Sequence, residues 1–408
     1  MSAQRIAYFA EIFPSKSETW IHHEIDELRR LGWDVRVFAT HPRPDDVADE
    51  LKYLQSYTVY LPEQPKQIGR AIRRLFDRRL LVPVLKGVLT DTPILRQKVQ
   101  VLRDILYTGL LFDEVQRFAP DILFAHFAGT RTNLAVFHSL LSGLPYGFKM
   151  HAADVFTRVG LLRLKCKHAA WIGTISNFNL TFLKRVNPEV DFSKLNIHKC
   201  GLPLDRFAYA PKEKPSVPRR MVAVGRMVRT KGFDALVKAS HELRQRGIDH
   251  NLTIIGDGPQ RPELERLIES LGLHDTVRLP GYCSPREVQT ALAKADAFVL
   301  PVGWDPILKI PEGVPVALME AMAVGIPVVS GRTAGIPELI ADGITGFLAN
   351  PGDPSDLAEV VARLFSLSNE DRGSLTLAAR QKIVSEHDIV ALTRDLHVSL
   401  TRCARSHV

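Results

Sequence analysis

Short apolar runs rich in Ile, Val and Phe alternate with longer amphipathic stretches along all 408 residues, and this rhythm narrows the fold more than any other feature. Strands buried on both faces, each followed by a crossover helix, are the pattern of parallel α/β sheets. In the first half the runs predict strands at 5–10, 34–40, 122–127, 146–151, 171–176 and 195–200, with helices at 18–31, 130–141 and 177–186. The segment Ala210-Pro-Lys-Glu-Lys-Pro-Ser-Val-Pro218 packs three prolines and three charges into nine residues. No helix interior or central strand accommodates that, so it reads as a linker. A second alternation follows, with strands expected at 221–225, 251–256, 276–281, 297–301 and 327–331. Two doubly wound domains are therefore expected, at 1–210 and 219–386, each with a ligand crevice beyond the carboxyl ends of its strands. The last fifty residues read as helices only, ending in one at 387–408 that either caps the second domain or returns to brace the first.

Composition removes several classes. With 45% hydrophobic and 24% charged residues the chain is ordinary globular material, neither disordered nor collagen-like. Four cysteines form no C-x-x-C pair and have no histidine at ligand spacing, which favours reduced thiols in a cytosolic compartment. Lys86 interrupts the best apolar stretch, 80–89, so no membrane span is expected, and the short run Ile6–Ala10 ending at Glu11 does not read as a secretory signal.

Charge is unevenly spread. The net charge is +8, and the segment from Gln64 to Arg103 alone carries ten basic residues against two acids, Asp77 and Asp91. Ile68, Ile72, Leu75, Phe76 and Leu80 recur near helical spacing within it, although Arg79 falls on the same face. This imperfect basic amphipathic helix is either a solvated face of the first domain or an attachment to anionic lipid. Few aromatics accompany the charge, which argues against nucleic acid.

Two constellations carry chemistry. In Pro311-Glu-Gly-Val-Pro-Val-Ala-Leu-Met-Glu320, Pro315 is placed to open a helix through Ala323, with Glu312 in the preceding loop and Glu320 more than a turn inside. A loop with main-chain N–H groups at a helix start suits an anion, and two carboxylates nearby suit sugar hydroxyls. Gly225-Arg-Met-Val-Arg-Thr-Lys-Gly232 ends the second domain's first strand and leads into a helix near Lys231. Arg226 and Lys231 then stand at the carboxyl edge of the sheet, either as diphosphate ligands or as solvated surface charge. Ile254-Ile-Gly-Asp-Gly-Pro259 is a glycine turn without the G-x-G-x-x-G continuation, so a dinucleotide site is not expected.

Together with Ala334-Gly-Ile-Pro-Glu-Leu-Ile-Ala-Asp-Gly-Ile-Thr-Gly-Phe-Leu348, these motifs resemble the donor half of the retaining family 4 glycosyltransferases. Their fold is GT-B: α/β, two Rossmann-like doubly wound domains facing a cleft, with C-terminal helices. The first domain is similar to a bacterial exopolysaccharide subgroup resembling the colanic acid glycosyltransferases. The likeness rests on Phe13-Pro-Ser-Lys-Ser-Glu-Thr-Trp20, Lys149-Met-His-Ala-Ala-Asp-Val-Phe156 and Cys200-Gly-Leu-Pro-Leu-Asp-Arg-Phe207. The stretch from Pro301 to Glu312, with Trp304, Ile307 and Leu308, departs from the family's glycine- and acid-rich wording. That loop faces the donor sugar in the family, so the departure bears on which sugar is moved.

The resemblance implies a role for each residue. Arg226 and Lys231 neutralise the donor diphosphate. Glu312, with main-chain groups of Gly313, Val314, Pro315 and Val316, takes the donor-sugar hydroxyls, and Glu320 takes the ribose hydroxyls. His151 reaches the sugar and the forming bond, with Asp154 orienting it. Beside what the resemblance implies, the residues themselves offer Ser17 and Thr19 as contacts to acceptor or phosphate, and Tyr282, at the end of another strand on the same edge, either to meet the base or to pack in the core. No Asp-x-Asp motif occurs, and two cations already stand where the family holds its diphosphate. The expectation is thus metal-independent retaining transfer of a hexose from a nucleotide-diphosphate sugar, with no other cofactor. The acceptor is a lipid-linked glycan of exopolysaccharide biosynthesis, met by a cytoplasmic enzyme peripheral on the inner face of the plasma membrane. A sugar phosphorylase, a disaccharide synthase with a soluble acceptor, and a non-catalytic nucleotide-sugar-binding partner are the alternatives.

Overall fold

A computed structural model of the chain describes residues 3–15, 18–44, 47, 49–61, 68–92, 94–157 and 159–406. The chain forms two compact units, Met1–Gly201 together with Ile389–Val408, and Leu202–Asp388.

The first unit holds a seven-stranded sheet: β1 (Arg5–Ala10), β2 (Asp34–Ala39), β3 (Thr58–Tyr60), β4 (Ile122–His126), β5 (Tyr146–Met150), β6 (Trp171–Thr174) and β7 (Leu195–Ile197). The order is β3-β2-β1-β4-β5-β6-β7 and the pairings are parallel. All five residues of β4 and all five of β5 are buried, because helices cover both faces of the sheet. Helix Thr19–Arg30 contributes Trp20, Ile21, Ile25 and Leu28 to that core. The order reverses between β1 and β4, which opens a crevice at their carboxyl ends. The terminal helix Ile389–Arg405 packs on Thr19–Arg30, where Trp33 Nε1 donates to His397 Nδ1 at 2.7 Å.

The second unit repeats the scheme with β8 (Arg219–Val224), β9 (His250–Ile255), β10 (Val277–Gly281), β11 (Ala297–Leu300), β12 (Val328–Gly331) and β13 (Phe347–Ala349). Its order is β10-β9-β8-β11-β12-β13, so the reversal falls between β8 and β11. The proline-rich stretch before β8 is tied to this unit: Asp296 accepts from Ser216 N at 2.9 Å and Arg220 N at 2.8 Å, and pairs with Lys212 Nζ at 2.9 Å.

Three details differ from the sequence reading. β3 and β13 are three residues each, too short for a periodicity to register. Several strands stop one or two residues early at their carboxyl ends; Phe127, for one, turns into the left-handed region at φ +67°. The basic amphipathic segment is not one helix but two, Ile68–Leu75 and Arg78–Asp91, because Asp77 caps the second by accepting from Arg79 N at 2.9 Å. Leu80 then lies on the buried face of the second helix rather than continuing the first helix's face.

Candidate functional site

In the second unit the loops after β8 and β11 leave the sheet side by side, at the strand-order reversal. Their closeness depends on Gly232. It sits at φ +68°, and a Cβ there would lie 2.2 Å from the Pro301 carbonyl oxygen, so no side chain fits. Gly303 N donates to Thr230 O at 2.9 Å and Glu312 N to Gly303 O at 3.0 Å, stitching the two loops together. Arg229–Lys231 forms a 3-10 turn, and the helix expected from Lys231 starts at Phe233.

Glu312 is the hub. Its Oε2 lies 3.2 Å from Lys231 Nζ and accepts from Thr230 Oγ1 at 2.7 Å, and its Oε1 accepts from Gly313 N at 3.1 Å. Burial pushes its carboxyl up, but the Lys231 ammonium and these hydrogen bonds outweigh burial and hold it below the usual carboxylate range. Pro315 caps helix Val316–Val324, its carbonyl accepting from Leu318 N at 3.1 Å, and the N–H groups of Val316 and Ala317 at the very start have no acceptor among the described residues. Gly313 and Pro315 are buried, Val314 and Val316 half-buried. One and a half turns inside, Glu320 is half-buried with no polar partner among the described residues, and burial alone raises its carboxyl to about 7. Arg226 is exposed and makes no ion pair among the described residues. At this edge Arg226 has no ion pair among the described residues, Lys231 is paired with Glu312, Arg229 is paired with Glu263 at 3.4 Å, and the helix that follows brings up Glu320 as a second carboxyl raised to about 7.

The divergent stretch 301–312 has defined structure. Trp304 bridges Pro311, Asp305 N donates to Ile310 O at 2.8 Å, and Asp305 Oδ1 accepts from Ile307 N and Leu308 N, both at 2.8 Å. This closes a small hairpin with Ile307 and Leu308 exposed at its tip. Tyr282 follows the edge strand β10 and is exposed, two strands from β8, or roughly 10 Å at ordinary strand spacing.

In the first unit His151 directly follows β5 and is only 5% exposed. Its Nε2 lies 3.1 Å from His126 Nδ1, and His126 Nε2 lies 2.8 Å from Glu24 Oε1, which also accepts from Tyr8 OH at 2.8 Å. Since Glu24 is ionised, the chain has one consistent tautomer assignment. His126 donates from Nε2 to Glu24, and His151 donates from Nε2 to His126 Nδ1. The Nδ1 of His151 is left as an acceptor, 3.8 Å from Cys200 Sγ. Burial, followed by the charges of neighbouring basic groups, pushes His151 well below the usual imidazole range, so it is neutral at pH 7. Burial raises Glu24, yet His126 and Lys149, whose Nζ is 3.8 Å away, bring it below the ordinary carboxylate value. Trp20 lies against the His151 ring at 4.2 Å between centroids.

Asp154 does not orient that ring, contrary to the sequence expectation. Its Oδ1 accepts from the main-chain N of His151 at 3.0 Å and of Ala152 at 3.1 Å, and its Oδ2 from Ala128 N at 2.8 Å. It shapes the backbone of the loop, and the side chain that faces the imidazole is His126. Thr19 opens helix Thr19–Arg30 and is half-buried, while Ser17 lies outside the described residues.

Thr230, Glu24, His126 and Lys149 were not singled out from sequence. Glu24 had a readable signal: it falls four residues from Trp20 and four from Leu28, a carboxylate on the helix's apolar stripe. Thr230 had none, since only the fold brings it to Glu312.

Two parallel doubly wound units, with cationic and acidic groups gathered at the second unit's switch point, define a GT-B fold. Residues 206–382 match the family model described as glycosyl transferases group 1. The chain is 30% identical to the amylovoran biosynthesis glycosyltransferase AmsK of Erwinia amylovora, covering 98% of this chain and 100% of that one. It is 28% identical to the putative colanic acid biosynthesis glycosyltransferase WcaL of Salmonella typhimurium, over 96% and 98%. Among solved structures it resembles Anabaena Alr3699/HepE in complex with UDP-glucose, with a TM-score of 0.70 and 15% identity over 98% of this chain and 99% of that one. The chain belongs to the group 1 glycosyltransferases.

Proposed function

We propose that this protein is a retaining hexosyltransferase that moves a hexose from a nucleotide-diphosphate sugar to a lipid-linked glycan of exopolysaccharide biosynthesis. The observation that carries the reading is the Lys231–Glu312–Thr230 cluster beside Arg226, which has no ion pair among the described residues, at the switch point of the second sheet. The biosynthetic setting is supported by full-length relatives named for amylovoran and colanic acid biosynthesis.

Arg226 and Lys231 hold the donor diphosphate, each charge-assisted hydrogen bond contributing about 1.5–3 kcal/mol. Charge grows on the leaving phosphate as the glycosidic bond breaks, so part of that contribution is realised only in the transition state and lowers the barrier. These two cations take the part a divalent ion plays elsewhere, and transfer proceeds without one. Glu312 exchanges Lys231 for donor-sugar hydroxyls when the diphosphate claims the ammonium. Main-chain groups of Gly313, Val314, Pro315 and Val316 help Glu312 hold those hydroxyls. Glu320 accepts from the ribose hydroxyls, and Tyr282 meets the base. From the first unit, His151 Nδ1 accepts from a sugar hydroxyl, with Ser17 and Thr19 contributing on the acceptor side. The departing phosphate oxygen takes the acceptor proton on the face it leaves, which preserves the anomeric configuration.

Incubation of purified protein with isotope-labelled sugar nucleotides and a membrane extract of lipid-linked glycans tests this, with product anomers read by NMR. Retained configuration and turnover undiminished by chelator are expected. An inverted product, phosphorolysis in place of transfer, or binding without turnover would replace the reading.

A further inference from the structure

The first unit carries a second charged feature that donor chemistry does not use. In helix Arg78–Asp91, Leu80, Val84 and Gly87 face the core while Val82, Leu85 and Leu89 stand on the outer face, at spacings of three and four. Helix Leu95–Phe118 repeats this: Val101 and Ile105 are buried, and Leu95, Val99 and Leu102 point outward. These are not marginal exposures, with Leu89 at 74%, Leu95 at 75% and Leu102 at 67%. Leu89 closes the first helix's outer face and Ile94 and Leu95 open the second's, an apolar ridge in two parts on either side of Thr90, Asp91 and Thr92. Phe76 adds an exposed ring just before the first of these helices, at 71%.

The same segment supplies the charge. Asp77 and Asp113 absorb Arg79, Arg74 and Arg70, and Arg103 pairs with Asp104. That leaves Arg73, Arg78, Lys86, Arg96 and Lys98 without an ion pair among the described residues. A second copy of this chain is a poor occupant, because a self-complementary contact would set these five cations against themselves. Nucleic acid is a poor one as well, since the ridge is aliphatic and offers bases little to stack on. Aliphatic side chains ringed by unpaired cations complement one surface chemistry, acyl chains beneath anionic headgroups.

We infer that this ridge seats the first unit on an anionic bilayer, with Leu85, Leu89, Leu95, Val99 and Leu102 entering the headgroup boundary and Arg78, Lys86, Arg96 and Lys98 contacting lipid phosphates. Among the described residues no helix is long and apolar enough to cross a membrane, so the attachment is peripheral. The surface gives a use to the lipid-linked acceptor proposed above and rests on that reading only for its purpose; binding itself is independent of it.

Flotation of the full chain with phosphatidylcholine vesicles, with and without about one third phosphatidylglycerol, tests the inference. Three forms are compared: the parent, Leu85→Asn/Leu89→Asn/Leu95→Asn, and Arg78→Gln/Lys86→Gln/Arg96→Gln. Binding of the parent to anionic vesicles only is expected, reduced more than tenfold in both variants and weakened by salt. No binding, equal binding to neutral vesicles, or concentration-dependent dimerisation abolished by the asparagine variant would overturn it. Nucleoside diphosphate binding, measured in the same samples, is expected to be unchanged in both variants; its loss in the parent would count against the donor site and not against the membrane surface.

Discussion

Lys231 and Glu312 leave the sheet on different loops and meet at 3.2 Å, so the cation assigned to the donor diphosphate is already engaged by the carboxylate assigned to the sugar. In the proposed donor complex the diphosphate competes with that carboxylate for the ammonium, which frees carboxylate oxygens for hydroxyls. Lys231→Ala is expected to lower kcat by on the order of 10²–10³, as loss of a transition-state donor does. Glu312→Gln frees the lysine but loses the charged acceptor, so nucleoside diphosphate affinity holds or rises while turnover of the full donor falls. Steady-state kinetics alongside binding of the bare nucleotide separates the two.

Glu320 predicts a pH dependence. Its folded carboxyl is raised from 4.5 to about 7 by burial. Between those values the native state keeps a proton that the unfolded chain has released, so this group costs stability as pH rises from 4.5 to 7. Glu320→Gln is expected to match the parent near pH 4.5 and exceed it above pH 7, by up to roughly 3 kcal/mol. Ribose hydroxyls favour the charged form, so nucleotide binding near pH 6.5 should release protons. Urea denaturation at two pH values, and calorimetry in buffers of different ionisation enthalpy, check both effects.

The Glu24–His126–His151 chain predicts a different profile. Lys149 is 1% exposed and 3.8 Å from Glu24, so Glu24→Gln strands a buried ammonium. A loss of about 3–5 kcal/mol at pH 7 is expected. Because the folded Glu24 carboxyl is depressed, its contribution is present above pH 4.5 and drains away in acid, and the gap to the variant should narrow below that point. Guanidinium unfolding of both proteins at pH 7 and pH 4 measures it.

Gly232→Ala tests the joining of the two donor loops. With a Cβ only 2.2 Å from the Pro301 oxygen and φ at +68°, the loops must separate. Destabilisation above about 1 kcal/mol and a raised KM for donor are expected. Differential scanning calorimetry and donor titration are the readouts.

Much of this was legible in the sequence because parallel strands write themselves as continuous apolar runs. β4 and β11 were found for that reason, and the residues just beyond β8, β11 and β5 followed from the rule that ligands meet the carboxyl ends of strands. Side-chain partners were not legible. Glu312 reads as a loop acid until Gly303 and Gly232 bring Lys231 and Thr230 to it. Asp154, three residues after His151 in the motif, was expected at the ring and instead holds main-chain N–H groups. The helix break at Asp77 was also hidden, because a capping carboxylate two residues from the N–H it accepts looks in sequence like one more charge in a basic run.

The most direct test is isothermal titration of UDP and GDP into the parent and the Arg226→Ala/Lys231→Ala double variant. One of the two nucleotides is expected to bind the parent, with affinity falling at least about a hundredfold in the variant, the minimum for losing two charge-assisted contacts. Equal affinity in the two proteins would place the diphosphate elsewhere and contradict the account.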